Sequence, residues 1–180
     1  MVIIAIVGMA GSGKSEVTDH LINLGFSKLR FGQVTIDILK KNNLKVNEKN
    51  EREVREKLRK DHGMEAYAKL NLPKIKQKLS ETPNIVLDGL YSWEEYLFLK
   101  NKFPDIKVIA VYCSPKTRYK RLKNRKIRPL KEQEAFSRDK SEIENLHKAG
   151  PIAMADYTII NESNLKELKL KINKLIQELK

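Results

Sequence analysis

The chain contains one cysteine, Cys113, in 180 residues. A disulfide framework within the chain is therefore excluded, and we expect this lone thiol to be packed rather than nucleophilic. The three histidines, His20, His62 and His147, lie too far apart in the sequence for their spacing to indicate a metal site. Scarce cysteine suits a reducing compartment, so we expect the protein to be cytoplasmic.

Long apolar runs are also missing. No stretch approaches the roughly 18 consecutive apolar residues of a membrane-spanning helix, and the first residues lack the basic region that opens a secretory signal peptide. We therefore expect neither a membrane span nor a signal peptide. Hydrophobic residues still make up 41% of the chain, which is enough for folding, and we expect residues 1–180 to form a single domain.

Acidic residues are few relative to basic ones, with 23 Asp and Glu against 36 Lys and Arg and a net charge of +13. The surplus is concentrated, because the segment from Lys116 to Lys131 holds nine basic residues and no acidic one. Such a segment attracts polyanions, either nucleic acid or the triphosphate of a nucleotide. A solvated, lysine-rich helix face has the same composition, so charge alone does not decide between these possibilities.

Five strand-like stretches alternate with helical patterns along the chain. They are "VIIAIV" at 2–7, "KLRF" at 28–31, "NIVLDG" at 84–89, "KVIAVYC" at 107–113 and "DYTII" at 156–160. "SWEE" at 92–95 reads as a capping box that opens a helix, and the apolar face of the last segment suggests a helix packed on the sheet. The alternation predicts an α/β fold with a parallel five-stranded sheet and helices on both faces.

The stretch "GMAGSGKS" directly after the first strand matches the phosphate-loop pattern G-x-x-x-x-G-K-[ST]. It comprises Gly8, Met9, Ala10, Gly11, Ser12, Gly13, Lys14 and Ser15. In this pattern the glycines let backbone N–H groups cradle phosphate oxygens, Lys14 reaches the β- and γ-phosphates, and the Ser15 hydroxyl binds Mg²⁺. The helix that follows points its positive end at the anion. The sequence therefore predicts ATP and Mg²⁺ as cofactors.

Asp88 ends the strand of "IVLDG" and is the second acidic candidate for this site. A carboxylate at the end of a buried strand can hold Mg²⁺ opposite a phosphate loop. An Asp-Gly turn also occurs for conformational reasons alone, and that alternative stays open at this point.

The basic segment carries arginines at helical spacing. Arg118, Arg121 and Arg125 fall on one face of the predicted helix, with Arg128 just beyond it and Arg138 on the next helix. Guanidinium groups offer rigid, multidentate donors that stabilise a phosphoryl group in transfer. A basic surface helix would show the same spacing.

Taken in order, the phosphate loop, "VLDG", "SPKTRYKRLKNR", "FSRD" and "ADYTIIN" resemble the P-loop nucleotide kinases, which include adenylate kinase and dephospho-CoA kinase. The last three segments are most similar to dephospho-CoA kinase. Almost the whole chain, including "GMEAYAKLNLPKI" at 63–75, resembles an uncharacterised archaeal family of P-loop proteins related to adenylate kinase. The resemblance implies a three-layer P-loop NTPase fold, a helical acceptor-binding region at about 32–80 and a lid at about 126–138.

The resemblance also implies roles for individual residues. Arg121 would pack on the adenine of ATP, and Arg125 would contact its phosphates. Arg128 and Arg138 would close from the lid on the transferring phosphoryl group, joining Lys14 and Asp88 as catalytic residues. Arg52 and Arg55 would be phosphate ligands in the acceptor region, although "NEREVREKLRK" is equally typical of a solvated helix.

Two positions depart from the family pattern. Tyr91 lies near the place where adenylate kinases carry an arginine for the acceptor, and Gln33 lies where an acidic residue is expected. Asp37, one helical turn further on, is the residue that might replace that acid. Glutamine cannot act as a base, so the departure favours an ionised phosphate acceptor such as AMP over a hydroxyl acceptor.

We therefore expect an ATP- and Mg²⁺-dependent phosphotransferase of the nucleotide-kinase type, acting on AMP or another small adenine-containing acceptor. The alternatives are an ATPase associated with RNA or a ribonucleoprotein, a dephospho-CoA kinase-like enzyme, and an ATP-binding protein without transferase activity. A small-molecule nucleotide is the expected partner, with nucleic acid second. The sequence does not indicate an oligomeric state.

Overall fold

A computed structural model describes residues 1–126 and 128–179, so the predicted lid at about 126–138 includes one residue, 127, that lies outside the described residues. The strands are β1 (Val2–Val7), β2 (Ser27–Arg30), β3 (Asn84–Asp88), β4 (Lys107–Tyr112) and β5 (Tyr157–Ile160). The helices are α1 (Lys14–Asn23), α2 (Gln33–Lys41), α3 (Glu48–His62), α4 (Ala66–Glu81), α5 (Trp93–Lys102), α6 (Pro115–Asn124), α7 (Glu132–Glu144), α8 (Ala149–Ala153) and α9 (Leu165–Leu179).

The strands form one parallel sheet in the order β2-β3-β1-β4-β5. The first strand lies at the centre, with Ile6 opposite Asp88 on one side and Ile109 on the other. The predicted α/β fold with a parallel five-stranded sheet is therefore confirmed. Because the chain leaves β1 in the middle of the sheet, the phosphate loop emerges at the point where ligands bind in open α/β sheets.

Helices cover both faces of the sheet, as the three-layer prediction requires. Side chains of β1 alternate between two cores: Ile3 and Val7 pack in one, and Ile4 and Ile6 in the other. The first core is completed by residues of α2 to α5, and the second by residues of α1 and α9. None of the described helices is long and apolar enough to cross a lipid bilayer.

The C-terminal helix packs on the sheet, as predicted from its apolar face. Leu168, Ile172, Leu175 and Ile176 of α9 are buried in the second core. Leu165, predicted to share that face, is 46% exposed and lines a cavity at the carboxyl edge of the sheet instead. Leu165 is the first residue of α9.

The turn after β3 is fixed by the predicted capping box of α5. The backbone N–H of Glu95 donates to Ser92 Oγ at 3.0 Å, and the N–H groups of Tyr91 and Ser92 donate to Glu95 Oε2 at 2.8 and 3.4 Å. Glu95 is fully buried, and burial raises the pKa of its carboxyl to about 7. This one side chain therefore positions Tyr91 at the edge of the sheet where the phosphate loop lies.

We predict that Glu95→Gln removes a pH dependence of stability. Because the folded-state pKa lies near 7 and the ordinary value is 4.5, the folded protein binds more protons than the unfolded chain between these values. The contribution of Glu95 to the free energy of unfolding should thus fall by about 3 kcal/mol as pH rises through this window. Urea unfolding at pH 5 and pH 8 measures this change in the free energy of unfolding, with a substitution at an exposed position, Glu53→Gln, as the matched control. Equal pH slopes in Glu95→Gln and the wild type would contradict the assignment.

Candidate active site

The loop between β1 and α1 requires glycine at two tight points. Gly8 has φ +149°, and a Cβ there would lie 2.5 Å from the carbonyl oxygen of Val111 in β4. Gly13 has φ +100°, and a Cβ there would collide with the side-chain amide of Asn161, just after β5. The loop therefore winds directly against the two neighbouring strands, which only residues without a side chain allow.

Buried side chains hold the carbonyl groups of this loop from behind. Asn161 Nδ2 donates to the carbonyl of Ser12 at 2.7 Å, and Arg118 Nη1 donates to the carbonyl of Ala10 at 3.1 Å. Arg118 is 4% exposed and donates two further hydrogen bonds, of 3.0 and 2.6 Å, to the carboxylate of Asp139. Arg118, predicted to share a helix face with Arg121, is thus part of the support of the loop.

Lys14 curls over the loop that precedes it. Its ammonium donates to the carbonyl oxygens of Gly8 and Met9 at 2.8 and 2.9 Å. Burial, and next the positive charge of Lys148, lower the pKa of Lys14 to about 7. A phosphate group at this position would supply the missing negative charge and raise that pKa again.

A cavity of about 880 Å³ opens in front of the loop. Its cationic side chains are Lys14, Lys28, Arg30, Arg121, Arg125, Arg128, Arg138 and Lys148, and its carboxylates are Glu16, Asp88 and Glu142. Cations therefore clearly outnumber carboxylates around one enclosed space. Such a surplus of positive charge suits a ligand that carries several negative charges.

The cavity has two chemically different ends. At the β4–β5 end Arg121 donates to Cys113 Sγ and to the carbonyl of Ser163, each at 3.4 Å, beside the apolar side chains of Leu165 and Leu168. At the β2–β3 end the lining is polar, with Lys28, Arg30, Asp88 and Tyr91. Cys113 is buried, and burial raises the pKa of its thiol, which agrees with a packed rather than a nucleophilic cysteine.

Ser15 and Asp88 line the same cavity, as a shared metal site would require. Lys28 Nζ lies 3.0 Å from Asp88 Oδ2, so this carboxylate already attracts a cation. Within residues 1–126 and 128–179 there is no group of three or more His, Cys, Asp or Glu that could hold a metal by itself. The hydroxyl of Ser15 and the carboxylate of Asp88 fit a Mg²⁺ ion that takes its remaining ligands from phosphates and water.

The predicted lid arginines converge on one wall of the cavity. Arg125 donates to the backbone carbonyl of Arg128, which has φ +51°. Arg128 Nη2 reaches Glu51 of α3 at 3.1 Å, and Arg138 Nε donates to Glu142 Oε1 at 3.0 Å. This contact joins the segment between α6 and α7 to α3.

Of the predicted acceptor residues, Tyr91 lines the main cavity and Gln33 lines an adjacent one. The second cavity, of about 610 Å³, shares Lys28 and Arg30 with the first. Asp37 lines neither cavity. Gln33 donates to one of its oxygens at 2.9 Å, and Lys74 donates to the other at 3.1 Å. These two hydrogen bonds, that from Gln33 first, lower the pKa of Asp37.

Arg52 and Arg55 also lie outside both cavity linings. Both contact acids on their own helix: Arg52 lies 2.7 Å from Glu56, and Arg55 lies 3.4 Å from Glu51. Their assignment as phosphate ligands stays a prediction, and so do the roles assigned to Gln33 and Asp37.

Five charged residues of the cavity were not predicted: Glu16, Lys28, Arg30, Glu142 and Lys148. Lys28 and Arg30 lie at the carboxyl end of β2, and polar residues at such an end are a usable signal. Glu142 and Lys148 carry no comparable signal, because they come from an ordinary charged helix and the turn that follows it. Lys148 is 1% exposed, and its ammonium donates to Glu142 Oε2 at 2.7 Å.

We predict that Arg118→Met lowers the free energy of unfolding by about 3–5 kcal/mol, because it leaves the carboxylate of Asp139 buried without its partner. The double variant Arg118→Met/Asp139→Leu should recover most of this loss, since neither charge then remains. Chemical denaturation measures both, with exposed Lys116→Met on the same helix as the control. A double variant as unstable as the single one would argue against a buried ion pair.

The sequence comparisons identify relatives over nearly the full length. Residues 4–147 match the AAA domain family. A UPF0200 protein of Thermococcus gammatolerans is 32% identical over 181 residues, covering 98% of this chain and 95% of that protein. A UPF0200 protein of Thermococcus kodakarensis is 31% identical over 181 residues, covering 98% of this chain and 97% of that protein.

Solved structures show the same fold at low sequence identity. A shikimate kinase from Bacteroides thetaiotaomicron has a TM-score of 0.62 at 14% identity, covering 98% of each chain. A gluconokinase from Sinorhizobium meliloti has a TM-score of 0.59 at 13% identity, covering 99% of this chain and 95% of that one. The fold of this chain is therefore shared with small-molecule kinases, as the predicted P-loop kinase-like architecture requires.

Proposed function

The chain belongs to the UPF0200 family and carries an AAA domain of P-loop kinase-like fold, and we propose that it is an ATP- and Mg²⁺-dependent phosphotransferase of the nucleotide-kinase type. The proposed acceptor is AMP or another small adenine-containing molecule. The observation that carries the proposal is the cationic cavity in front of the phosphate loop, where Lys14, Arg128 and Arg138 come from three separate segments. A mere phosphate-binding loop has no need of cations on the opposite wall.

ATP would lie across the sheet edge with its base at the β4–β5 end. There the guanidinium of Arg121 and the side chains of Leu165 and Leu168 offer a stacking and apolar surface for adenine. The triphosphate would follow the loop at the end of β1, with Lys14 at the β- and γ-phosphates and Arg125 at the rim. Mg²⁺ would be held by Ser15 and Asp88, and when bound it neutralises and orients the phosphates.

Transfer would be supported by positive charge rather than by covalent chemistry. A phosphoryl group in transfer spreads negative charge over its outer oxygens, and preorganised guanidinium groups stabilise it. Arg138 lines the cavity from α7, and Arg128 lines it from the segment between α6 and α7. Rearrangement of the Arg128–Glu51 contact on ligand binding would bring that guanidinium to the phosphates.

The carboxylates of the cavity favour a phosphate acceptor over a hydroxyl acceptor. A hydroxyl acceptor benefits from a base, but Asp37 lies outside the cavity and Asp88 is paired with Lys28. Although burial opposes it, the ammonium of Lys148 lowers the pKa of Glu142, which makes this carboxylate a poor base. An acceptor such as AMP needs no base, because its phosphate oxygen is already ionised near neutral pH.

The decisive experiment incubates the purified protein with γ-labelled ATP, Mg²⁺ and AMP, CMP, dephospho-CoA or adenosine in parallel. We expect label to appear in ADP when AMP is the acceptor, at a rate above that with dephospho-CoA. Lys14→Ala should abolish the transfer with no loss of thermal stability, because a buried ammonium that faces phosphate is not part of the core. Dephospho-CoA labelling that disappears in Asp37→Asn would contradict the acceptor assignment, and unchanged transfer by Lys14→Ala would contradict the enzyme itself.

A second prediction separates the arginines by role. Arg128→Ala and Arg138→Ala should lower kcat more than they raise KM for ATP, because they act on charge that develops in transfer. Arg121→Ala should mainly weaken ATP binding. Steady-state kinetics of the three variants measure this, with exposed Lys120→Ala on the same helix as Arg121 as the control.

Nucleic-acid binding is the second candidate function, and one observation favours it. Lys116, Lys120, Lys123 and Lys126 of the basic segment are exposed, and none of these four lysines lines the cavity. If three arginine variants keep full ATP turnover but weaken RNA binding equally, and if RNA affinity falls steeply with salt, the ATPase associated with RNA becomes the better account.

A further inference from the structure

Lys148 is a buried cation that has no part in the proposed binding of adenine, phosphates or Mg²⁺ or in the proposed transfer. It lies at the start of α8, 1% exposed, and its ammonium is 4.9 Å from the centroid of the Tyr91 ring. The same ammonium is near enough to Lys14 to lower the pKa of that lysine. Two ammonium groups from distant parts of the chain therefore face one region of the cavity.

The carboxylate of Glu142 is hydrogen-bonded to two of the cations in this region. Glu142 accepts from Lys148 at 2.7 Å through Oε2 and from Arg138 at 3.0 Å through Oε1. Lys14 hydrogen-bonds only to neutral carbonyls among the described residues. Positive charge in a poorly solvated site favours the binding of a further anion. A phosphate can replace the carboxylate of Glu142 as the acceptor for Lys148 and Arg138.

The position of Lys148 indicates which phosphate it would meet. Tyr91 and Asp88 belong to the end of β3, whereas Arg121 and Leu165 form the opposite end of the cavity. With adenosine near Arg121 and the triphosphate along the loop, the group that faces Tyr91 is the terminal phosphate.

We propose that Lys148 binds the terminal phosphate of the nucleoside triphosphate from the β3 side, and that Glu142 holds Lys148 and Arg138 in the free protein in place of that phosphate. The inference rests on the proposed function because it takes a nucleoside triphosphate as the ligand. Lys148 would then be a contact residue for the phosphoryl group in transfer, and Glu142 would be a competitor for the same two cations.

A purely structural ion pair makes a different prediction. The backbone N–H of Lys148 already donates to the carbonyl of Glu142 at 3.1 Å, so the two segments are joined without the side chains. If the pair only joined α7 to α8, loss of either charge would weaken ligand binding in the same direction. Competition between Glu142 and phosphate requires effects of opposite sign.

The test measures dissociation constants by calorimetry for a non-hydrolysable ATP analogue and for ADP, each with Mg²⁺. We expect Lys148→Gln to weaken binding of the analogue by about tenfold, since a charge-assisted hydrogen bond is lost, and that of ADP by less than about twofold. Glu142→Gln should tighten binding of the analogue by about threefold or more, because its competition with phosphate is removed. Lys140→Gln, an exposed position on α7, is the matched control.

Thermal denaturation accompanies each variant. If Lys148→Gln does not fold, Lys148→Met/Glu142→Gln, which buries no unpaired charge, is compared with Glu142→Gln instead and should bind the analogue about tenfold more weakly than that variant. Weaker binding of the analogue in both Lys148→Gln and Glu142→Gln would overturn the proposal, as would equal losses for ADP and the analogue. Wild-type protein that binds neither nucleotide would overturn the proposed function. If the wild type binds the analogue and Lys148→Gln binds it with the same dissociation constant, this inference alone is overturned.

Discussion

The phosphate loop keeps its shape because buried donors hold its carbonyl groups from behind. Arg118 and Asn161 each donate to a loop carbonyl, so the loop does not need a ligand to satisfy these backbone groups. Arginine suits the task because its planar fork reaches the carbonyl of Ala10 and the carboxylate of Asp139 at once. The glycine conformations of the loop, the position of Lys14 and the reach of the cavity from β1 to both ends of the sheet all depend on this support.

In the free protein, the cationic side chains of the cavity repel one another, and a bound anion would reduce this repulsion. Lys14 has a folded-state pKa of about 7 against an ordinary value of 10.5, so the unfolded chain binds more protons between these values and stability rises with pH there. Glu95 has the opposite effect between 4.5 and 7. The joint contribution of these two groups to the free energy of unfolding is therefore smallest near neutral pH, where a bound polyanion would return the proton of Lys14 and stabilise the fold.

The fold could be predicted from the sequence because its signals are local. Buried parallel strands are continuous apolar runs, and the predicted cap Ser92 lies at the start of α5, where its side chain accepts as expected. The phosphate loop was predictable for the same reason, since its chemistry is contained in consecutive residues.

The β2–β3 end of the cavity could be predicted only in part, because the sheet order brings its residues together from distant parts of the sequence. Lys28 comes from an edge strand, Asp88 from its neighbour, and Lys148 from a turn 60 residues beyond Asp88. Gln33 and Asp37 were predicted from a resemblance at one position each, yet their side chains hydrogen-bond to each other on an exposed helix face. The spacing of four residues on one helix already allows this contact. The sequence does not reveal that Lys74, from α4, donates to the second oxygen of Asp37.

The basic segment shows how far net charge can be assigned to a function. Its arginines turn toward the loop and the cavity, with Arg118 buried and Arg121 and Arg125 in the lining, whereas Lys116, Lys120 and Lys123 are exposed. Arginine keeps its charge when desolvated and binds planar anions through two donors, while the strongly hydrated ammonium of lysine remains in water at lower cost. One helix therefore divides its charge by residue type, and only the arginine half belongs to the phosphate site. Within this helix the proposed nucleotide accounts for the inward arginines and not for the exposed lysines, so the net charge of +13 cannot be assigned to one ligand.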